Sequence, residues 1–207
     1  MDRFKYLGSF VKQACNLKTE ITVRIQATSH AFYSLKQRVL DNYDLSTNTK
    51  ITVFKQCLLP ILLYGSETWT LYSQEVKQLR TIQQRHLRSI LKIRWFDFVA
   101  NEEVLAKSDV ADIEVLLAQS CLRWLGHVSR MEDNGICKRL LYGDLADGSR
   151  PIGRPKLRFK VNCKSILKNG NILHNWNDTG KYRVKWRSII KLFRKGKYDR
   201  VRERRKR

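Results

Sequence analysis

The start of the chain alternates polar and apolar positions, which is the period of a β-strand. This alternation runs through Arg3–Val11 and passes Gly8, a residue type that is typical of tight turns. We therefore predict that residues 1–15 form a short β element, either a single strand or one arm of a hairpin.

From Leu17 to Val39 the apolar positions instead recur every three or four residues, which predicts an amphipathic helix of about six turns. Ser46 is a good N-cap for a second helix, in which Pro60 should cause a kink or an end because proline has no amide hydrogen to donate. A third helix, capped by Ser73, should continue to about residue 93. Its predicted inward side chains are those of Val76, Leu79, Gln83, His86, Leu87 and Ile90.

Further helices are predicted towards the C-terminus. One spans Asn101–Lys107, and another begins after Asp112 and carries Trp124 as a predicted core anchor. Two more follow over Lys156–Lys168 and Val184–Phe193. The inward positions of the first of these are Leu157, Val161, Ile166 and Leu167. Together, about seven helices indicate a mainly α protein, a helical bundle with a short N-terminal β element.

Turn residues and charge divide the chain into segments. Residues 144–155 are rich in glycine and proline and are predicted to be a hinge. Residues 16–143 before it form one predicted helical domain. After it, residues 156–194 form a basic helical extension and residues 195–207 a basic tail.

The charge of the chain indicates what it binds. Lysine and arginine number 41 against 19 acidic residues, which gives a net charge of +22. Residues 151–207 hold 20 of the basic residues and only three of the acidic ones, whereas residues 101–150 are slightly acidic. Such a surplus predicts a polyanionic partner, and nucleic acid, either RNA or DNA, is the commonest one.

Basic side chains at helical spacing are the candidate nucleic-acid contacts. A stripe on the third helix lies about a quarter-turn from its apolar face, and it is either a solvated flank or an edge that follows phosphates. The Gly-Arg-Pro segment near residue 154 is either a hook for the DNA minor groove or a basic loop before a helix. The candidate contact residues are Lys77, Arg80, Arg88, Lys92, Arg150, Arg154, Lys156, Arg158, Arg183, Lys185 and Arg187.

Motifs for catalysis and metal binding are missing from the sequence. It contains no glycine-rich phosphate loop, no HExxH zinc motif and no Gly-x-Ser-x-Gly nucleophile turn. No two cysteines have zinc-finger spacing, so the five cysteines are expected to be free, buried thiols in a reducing compartment. We expect no catalytic residue, no metal site and no cofactor in this chain.

Targeting signals are also missing. No stretch of about 18 apolar residues predicts a membrane span, and the N-terminus lacks the apolar core of a signal peptide. The expected location is the nucleus or the cytoplasm, without secretion and without a membrane partner. The tail at residues 195–207 is either a solvated, import-like run or an arm that contacts nucleic acid.

Several blocks of sequence, taken in order, resemble a known family. They are FKYLGS from Phe4, PILLYGSETW from Pro60 and RWLGHVSRM from Arg123, followed by GRPK from Gly153 and then by Trp186. Their order and spacing resemble the C-terminal part of the endonuclease–reverse transcriptases of animal non-LTR (LINE-type) retrotransposons, of the RTE and jockey-like kinds. The resemblance covers nearly the whole chain.

The resemblance implies the part of a reverse transcriptase that follows the palm, namely the helical thumb and a basic C-terminal extension. The family's aromatic-x-Asp-Asp hairpin, which uses Mg²⁺ in the intact enzyme, would precede Phe4. No catalytic aspartate is therefore carried over, and we expect no polymerase activity from this chain alone. The implied function is that of a truncated, non-catalytic fragment that contacts the backbone of a template–primer duplex. An intact retroelement polymerase is a further expected partner.

Two other interpretations stay open on the sequence. One is a helical DNA-binding or interaction protein co-opted by its host, with the basic end as import signal and contact arm. The other is an unselected reading frame without a function. A preference for a primer–template junction over plain duplex separates the fragment from the co-opted protein.

Overall fold

A computed structural model describes residues 3–12, 17–143, 153, 157–170 and 176–191. The chain divides into unit 1, Met1–Gly65 with Leu71–Glu114, and unit 2, Ser66–Thr70 with Val115–Arg207. Within the described ranges, no helix combines the length and the apolar character that crossing a membrane requires. The hinge at 144–155 stays a prediction, because only Gly153 of that segment is described.

Unit 1 begins with a β-hairpin. Strands β1 (Arg3–Tyr6) and β2 (Ser9–Lys12) pair antiparallel around a turn formed by Leu7 and Gly8. Both turn residues have positive φ, 45° and 82°, which glycine adopts easily and leucine rarely does. The turn is fixed from the helical part of unit 1, since the hydroxyl of Tyr64 donates to the Leu7 carbonyl at 2.8 Å.

Helices make up the larger part of unit 1, and the predicted mainly α class is confirmed. They are α1 (Lys18–Leu35), which continues as a π-helical turn (Lys36–Leu40), then α2 (Thr47–Val53), α3 (Leu59–Leu62), α4 (Ser73–Ile90) and α5 (Asn101–Ser108). The predicted cap at Ser46 is confirmed, because its Oγ accepts from the Thr49 amide at 3.2 Å. Pro60 also acts as predicted: a widened π-helical turn (Phe54–Leu58) precedes it, and α3 ends two residues after it.

The ends of α4 differ slightly from the prediction. Tyr72, not Ser73, is the N-cap residue, and its amide donates to Glu75 Oε2 at 3.0 Å. The helix ends at Ile90 rather than near residue 93, and Lys92 then adopts a left-handed φ of 56°. The predicted inward side chains are buried, except Val76, which is half-buried.

His86 is an aromatic member of the core of unit 1. Its ring stacks on Phe32 with centroids 4.2 Å apart and meets the edge of Phe54 at 6.5 Å. Burial, with a smaller contribution from the neighbouring charge of Arg85, lowers the pKa of His86 to about 4. The imidazole is therefore neutral at physiological pH and packs like an apolar ring.

Unit 2 has a core of its own. Its helices are α6 (Ile113–Ser129, which begins in the last residues of unit 1), α7 (Ile136–Tyr142), α8 (Phe159–Asn169), α9 (Trp176–Lys181) and α10 (183–191). The sequence does not predict α7 and α9, because each is shorter than two full helical turns and shows little periodicity. Val161, predicted to face inward on α8, is 45% exposed, while Cys163 and Leu167 take the buried face.

The contact between Trp186 and Gly126 fixes α10 against α6. Trp186 is 2% exposed, and its indole Nε1 donates to the Leu122 carbonyl at 2.8 Å. A Cβ added at Gly126 would lie 2.2 Å from that same Nε1, far inside van der Waals contact. Only glycine at this position leaves room for the indole, so α10 packs against α6 at Gly126.

Trp186, rather than the predicted Trp124, is the anchoring tryptophan of unit 2. Trp124 packs against the core cluster but is only partly buried, and its ring lies 5.4 Å from the ring of His127. The physical reason lies in the helix geometry. The fully buried stripe of α6 is centred on Leu122 and Leu125, and Trp124 lies more than a third of a turn from that centre.

The cysteines agree only in part with the prediction. Cys121 and Cys163 are buried free thiols, and their Sγ atoms approach to 3.2 Å between α6 and α8. The neighbouring Cys121 and the burial both raise the pKa of the Cys163 thiol. Cys57 and Cys137 are exposed, which corrects the expectation of uniform burial, and Cys15 lies outside the described residues.

Substitution of Gly126 by alanine should destabilise unit 2. The added Cβ displaces the indole of Trp186, and we expect a loss of about 1–3 kcal/mol, although alanine favours a helix by about 1 kcal/mol. In a Trp186→Ala background, where the conflict is gone, Gly126→Ala should be neutral or stabilising. Denaturant unfolding followed by tryptophan fluorescence measures this cycle, and equal effects in both backgrounds would contradict the contact.

The neutral His86 predicts acid sensitivity of unit 1. Its folded pKa of about 4 lies below the unfolded value of 6.5, so the unfolded state binds more protons between these two values. This contribution to stability is complete above about pH 6.5, and about 3 kcal/mol of it is lost as the pH falls to about 4. Urea unfolding of His86→Phe should lack this component, and a pH-independent difference from wild type would refute the assignment.

Candidate nucleic-acid interface

The basic stripe on α4 mostly forms contacts within unit 1. The guanidinium of Arg80 forms ion pairs with the carboxylates of Glu114 and Asp112, the second at 3.4 Å. Lys92 pairs with Asp41, with Nζ 2.5 Å from Oδ1. These acidic partners neutralise the two cations, and Lys92 also holds down the pKa of Asp41 by a hydrogen bond.

Arg88 has a structural role in the same stripe. Its Nη2 donates to the Val99 carbonyl at 2.7 Å and to Asn101 Oδ1 at 2.9 Å, at the start of α5. Lys77 differs, because its ammonium is exposed and has no ion-pair partner among the described residues. A phosphate contact by this stripe stays a prediction, and Lys77 is its exposed member without an ion-pair partner among the described residues.

The predicted cations on α10 have a different environment. Arg183, Lys185 and Arg187 are all exposed, whereas Trp186 between them is buried. Arg183 and Arg187 are four residues apart and therefore lie on one face of α10. Lys185 lies on the opposite side, with its Nζ 5.1 Å from the ring centroid of Tyr182.

Arg130 joins the two arginines of α10, although its position in the sequence does not mark it as a candidate contact. It follows the end of α6, and its Nη1 donates to the Gly180 carbonyl of α9 at 2.8 Å. Partial burial, together with the positive charges of Arg183 and Arg187, lowers the pKa of Arg130. We call these three residues the arginine cluster.

The arginine cluster gathers positive charge without local compensation. Within the described part of the chain, none of its three guanidinium groups forms an ion pair with an acidic side chain. Like charges brought together repel each other, and an external anion relieves that repulsion. Guanidinium groups match the geometry of phosphate oxygens, so a phosphate is the natural ligand.

A shallow hollow of about 410 Å³ lies elsewhere on unit 2. It is lined by Asp133, Lys138, Arg139, Tyr142 and Gly143. Lys138 pairs with Asp133 at 2.7 Å and also donates to the Met131 carbonyl, so its charge is already satisfied. The hollow is therefore weaker as an anion site than the arginine cluster.

The remaining predicted contacts are only partly described. Arg158 is the exposed N-cap residue of α8. Arg150, Arg154 and Lys156, the residues of the predicted minor-groove hook or basic loop, lie outside the described residues. Across the described residues, no three of His, Cys, Asp or Glu come together in a group that could hold a metal ion.

Comparison with known proteins gives two relatives. The chain is 27% identical over 201 residues to a transposon-derived protein of Caenorhabditis elegans, covering 92% of this chain and 71% of that protein. It is 30% identical over 96 residues to a protein of Drosophila melanogaster named as an RNA-directed DNA polymerase from transposon X-element, covering 44% of this chain and 10% of that protein. No family model and no solved structure matches. These relatives support a transposon origin of the chain.

The contacts of α4 predict that its cations differ in their effect on stability. Arg88→Ala removes hydrogen bonds of a charged donor to Val99 and Asn101, and we expect a loss of about 1.5–3 kcal/mol. Lys77→Ala should change the free energy of unfolding by less than about 0.5 kcal/mol. Urea unfolding of both variants compares them, and equal losses would contradict the separation into structural and free cations.

Proposed function

We propose that this chain is a non-catalytic, nucleic-acid-binding fragment of a retroelement reverse transcriptase. In this proposal it holds a template–primer duplex through backbone phosphates, with little reading of base sequence. The observation that carries the proposal is the arginine cluster of Arg130, Arg183 and Arg187. The transposon-derived relatives support the retroelement part of it.

The arginine cluster is suited to phosphate binding for two reasons. Arg130 is held in place by the Gly180 carbonyl, so less side-chain freedom is lost when an anion binds. Arg183 and Arg187 are positioned by the burial of Trp186 between them, which fixes the rotation of α10. The cluster is thus organised before the ligand arrives.

The charge distribution extends the binding surface beyond the cluster. Residues 151–207 carry 20 basic and three acidic residues, and this segment includes two of the three arginines. A broad excess of positive charge attracts the duplex at long range, while the cluster provides oriented contacts. Sequence-tolerant binding follows, since neither part presents a base-reading motif.

The proposal assigns binding rather than synthesis to the chain. Two-metal nucleotidyl transfer needs carboxylates that hold both ions about 4 Å apart. The sequence contains no Asp-Asp pair of the kind that the resembled family uses. The chain would therefore contribute affinity for the duplex to a polymerase, or bind the duplex alone.

The salt dependence of binding tests the arginine cluster. Each neutralised phosphate of B-DNA contributes about 0.9 to the slope of log K against log salt, so Arg183→Gln with Arg187→Gln should flatten the slope by about 1.8. Fluorescence anisotropy with the full chain and a labelled duplex measures the slope. The matched control is Arg85→Gln with Lys107→Gln, which removes two exposed charges of unit 1.

The outcomes of this test are distinct. The proposal expects a clear loss of slope in the α10 variant and a smaller one in the control. Equal losses in both would mean that only net charge matters, and salt-independent binding by wild type would refute phosphate contact altogether. A recessed primer–template end bound no better than a blunt duplex would favour the co-opted binding protein.

A further inference from the structure

The loop between α4 and α5 presents large aromatic side chains to solvent. Trp95 is 85% exposed and Phe98 is 87% exposed, while Phe96 between them is half-exposed. We call residues 93–99 the aromatic loop. Single exposed apolar side chains are ordinary, but adjacent ones of this size mark an interaction site.

Hydrogen bonds hold the centre and the far end of the aromatic loop. A turn of 3₁₀ helix, Trp95–Asp97, forms its centre, and Asp97 Oδ2 accepts from the Arg94 amide at 2.6 Å. At the far end, Arg88 binds the Val99 carbonyl at 2.7 Å. The exposed rings are therefore displayed by a fixed backbone rather than carried on a loose one.

Backbone conformation gives a second sign of constraint. Lys92, just before the loop, and Phe98, within it, both have left-handed φ values, 56° and 49°. This region is unfavourable for bulky side chains, and such residues concentrate at functional sites. The ring of Phe98 lies in solvent. Burial of this ring within the chain therefore does not offset the energetic cost of the left-handed backbone.

The chemistry around the rings favours a nucleic-acid ligand. Arg94 lies over Phe96, with its guanidinium carbon 5.7 Å from the ring centroid, and forms no ion pair with the described residues. The nearby carboxylates have partners within the chain, since Asp97 accepts a hydrogen bond from the Arg94 amide and Asp41 forms an ion pair with Lys92. Flat apolar faces beside a free cation match a base and its phosphate.

We propose that the aromatic loop binds single-stranded nucleic acid, with bases stacking on Trp95 and Phe98 and a phosphate contacting Arg94. This inference rests on the proposed function and deepens it: the arginine cluster takes the duplex, and the aromatic loop takes the unpaired strand. Every base has a flat face, so stacking of this kind tolerates any sequence.

Binding of a 12-nucleotide oligouridine to the full chain tests the aromatic loop. Trp95→Ala with Phe98→Ala should weaken this binding by about tenfold or more, while affinity for a 12-base-pair duplex stays within about twofold. The matched control is Ile136→Ala with Leu140→Ala, which removes two apolar side chains of unit 2 that are 75% and 77% exposed. The control should bind both probes like wild type.

Fluorescence adds a readout that a merely structural role would not change. Trp95 is the one tryptophan of unit 1, and stacked bases should quench its emission. Trp95→Phe should keep an aromatic platform and most of the affinity for oligouridine but lose the quenching. Unchanged quenching in this variant would place the bases elsewhere and overturn the inference.

The remaining outcomes separate the two proposals. Normal duplex binding combined with unchanged oligouridine affinity in the double alanine variant overturns the aromatic-loop inference alone. A second outcome concerns duplex binding. If the Arg183→Gln, Arg187→Gln variant has the same salt slope as its control, while oligouridine affinity still depends on Trp95 and Phe98, only the arginine-cluster proposal is overturned. A wild-type dimer in sedimentation that dissociates in the double variant, without any change in oligouridine binding, would assign the rings to a second copy of the chain.

Discussion

A missing side chain on one helix determines the arrangement of unit 2. Because Gly126 has no Cβ, the indole of Trp186 can lie against the backbone of α6 and donate its hydrogen bond to Leu122. That contact sets both the position and the rotation of α10. The arginines on either side of the indole then come close to Arg130, so the charge cluster is a direct result of a packing contact.

Some of the local structure that depends only on neighbours in the sequence could be predicted. The cap formed by Ser46 and the helix end near Pro60 follow from the side chain and the missing amide of those residues alone. The inward face of α4, including the polar Gln83, follows from helical period. Gln83 is satisfied there because it bonds the Ala111 carbonyl and the Ile113 amide at 2.8 and 3.0 Å.

Features that depend on distant partners could not be predicted in this way. The stripe on α4 looks uniform in sequence, yet Arg80 and Lys92 find carboxylates from segments more than 30 residues away. The choice of Trp186 over Trp124 as anchor depends on how α10 meets α6, which no single helix pattern contains. Arg130 became a candidate only when folding placed it beside α10.

The close contact between Trp186 and Gly126 also restricts the order in which substitutions at these two positions can occur during evolution. Every substitution at position 126 adds at least a Cβ, so none is conservative while the indole is in place. A smaller residue at position 186 would have to come first, and it would leave a cavity until position 126 filled it. Substitutions at these two sites, 60 positions apart, should therefore depend on each other, and a change at either one alone should destabilise unit 2.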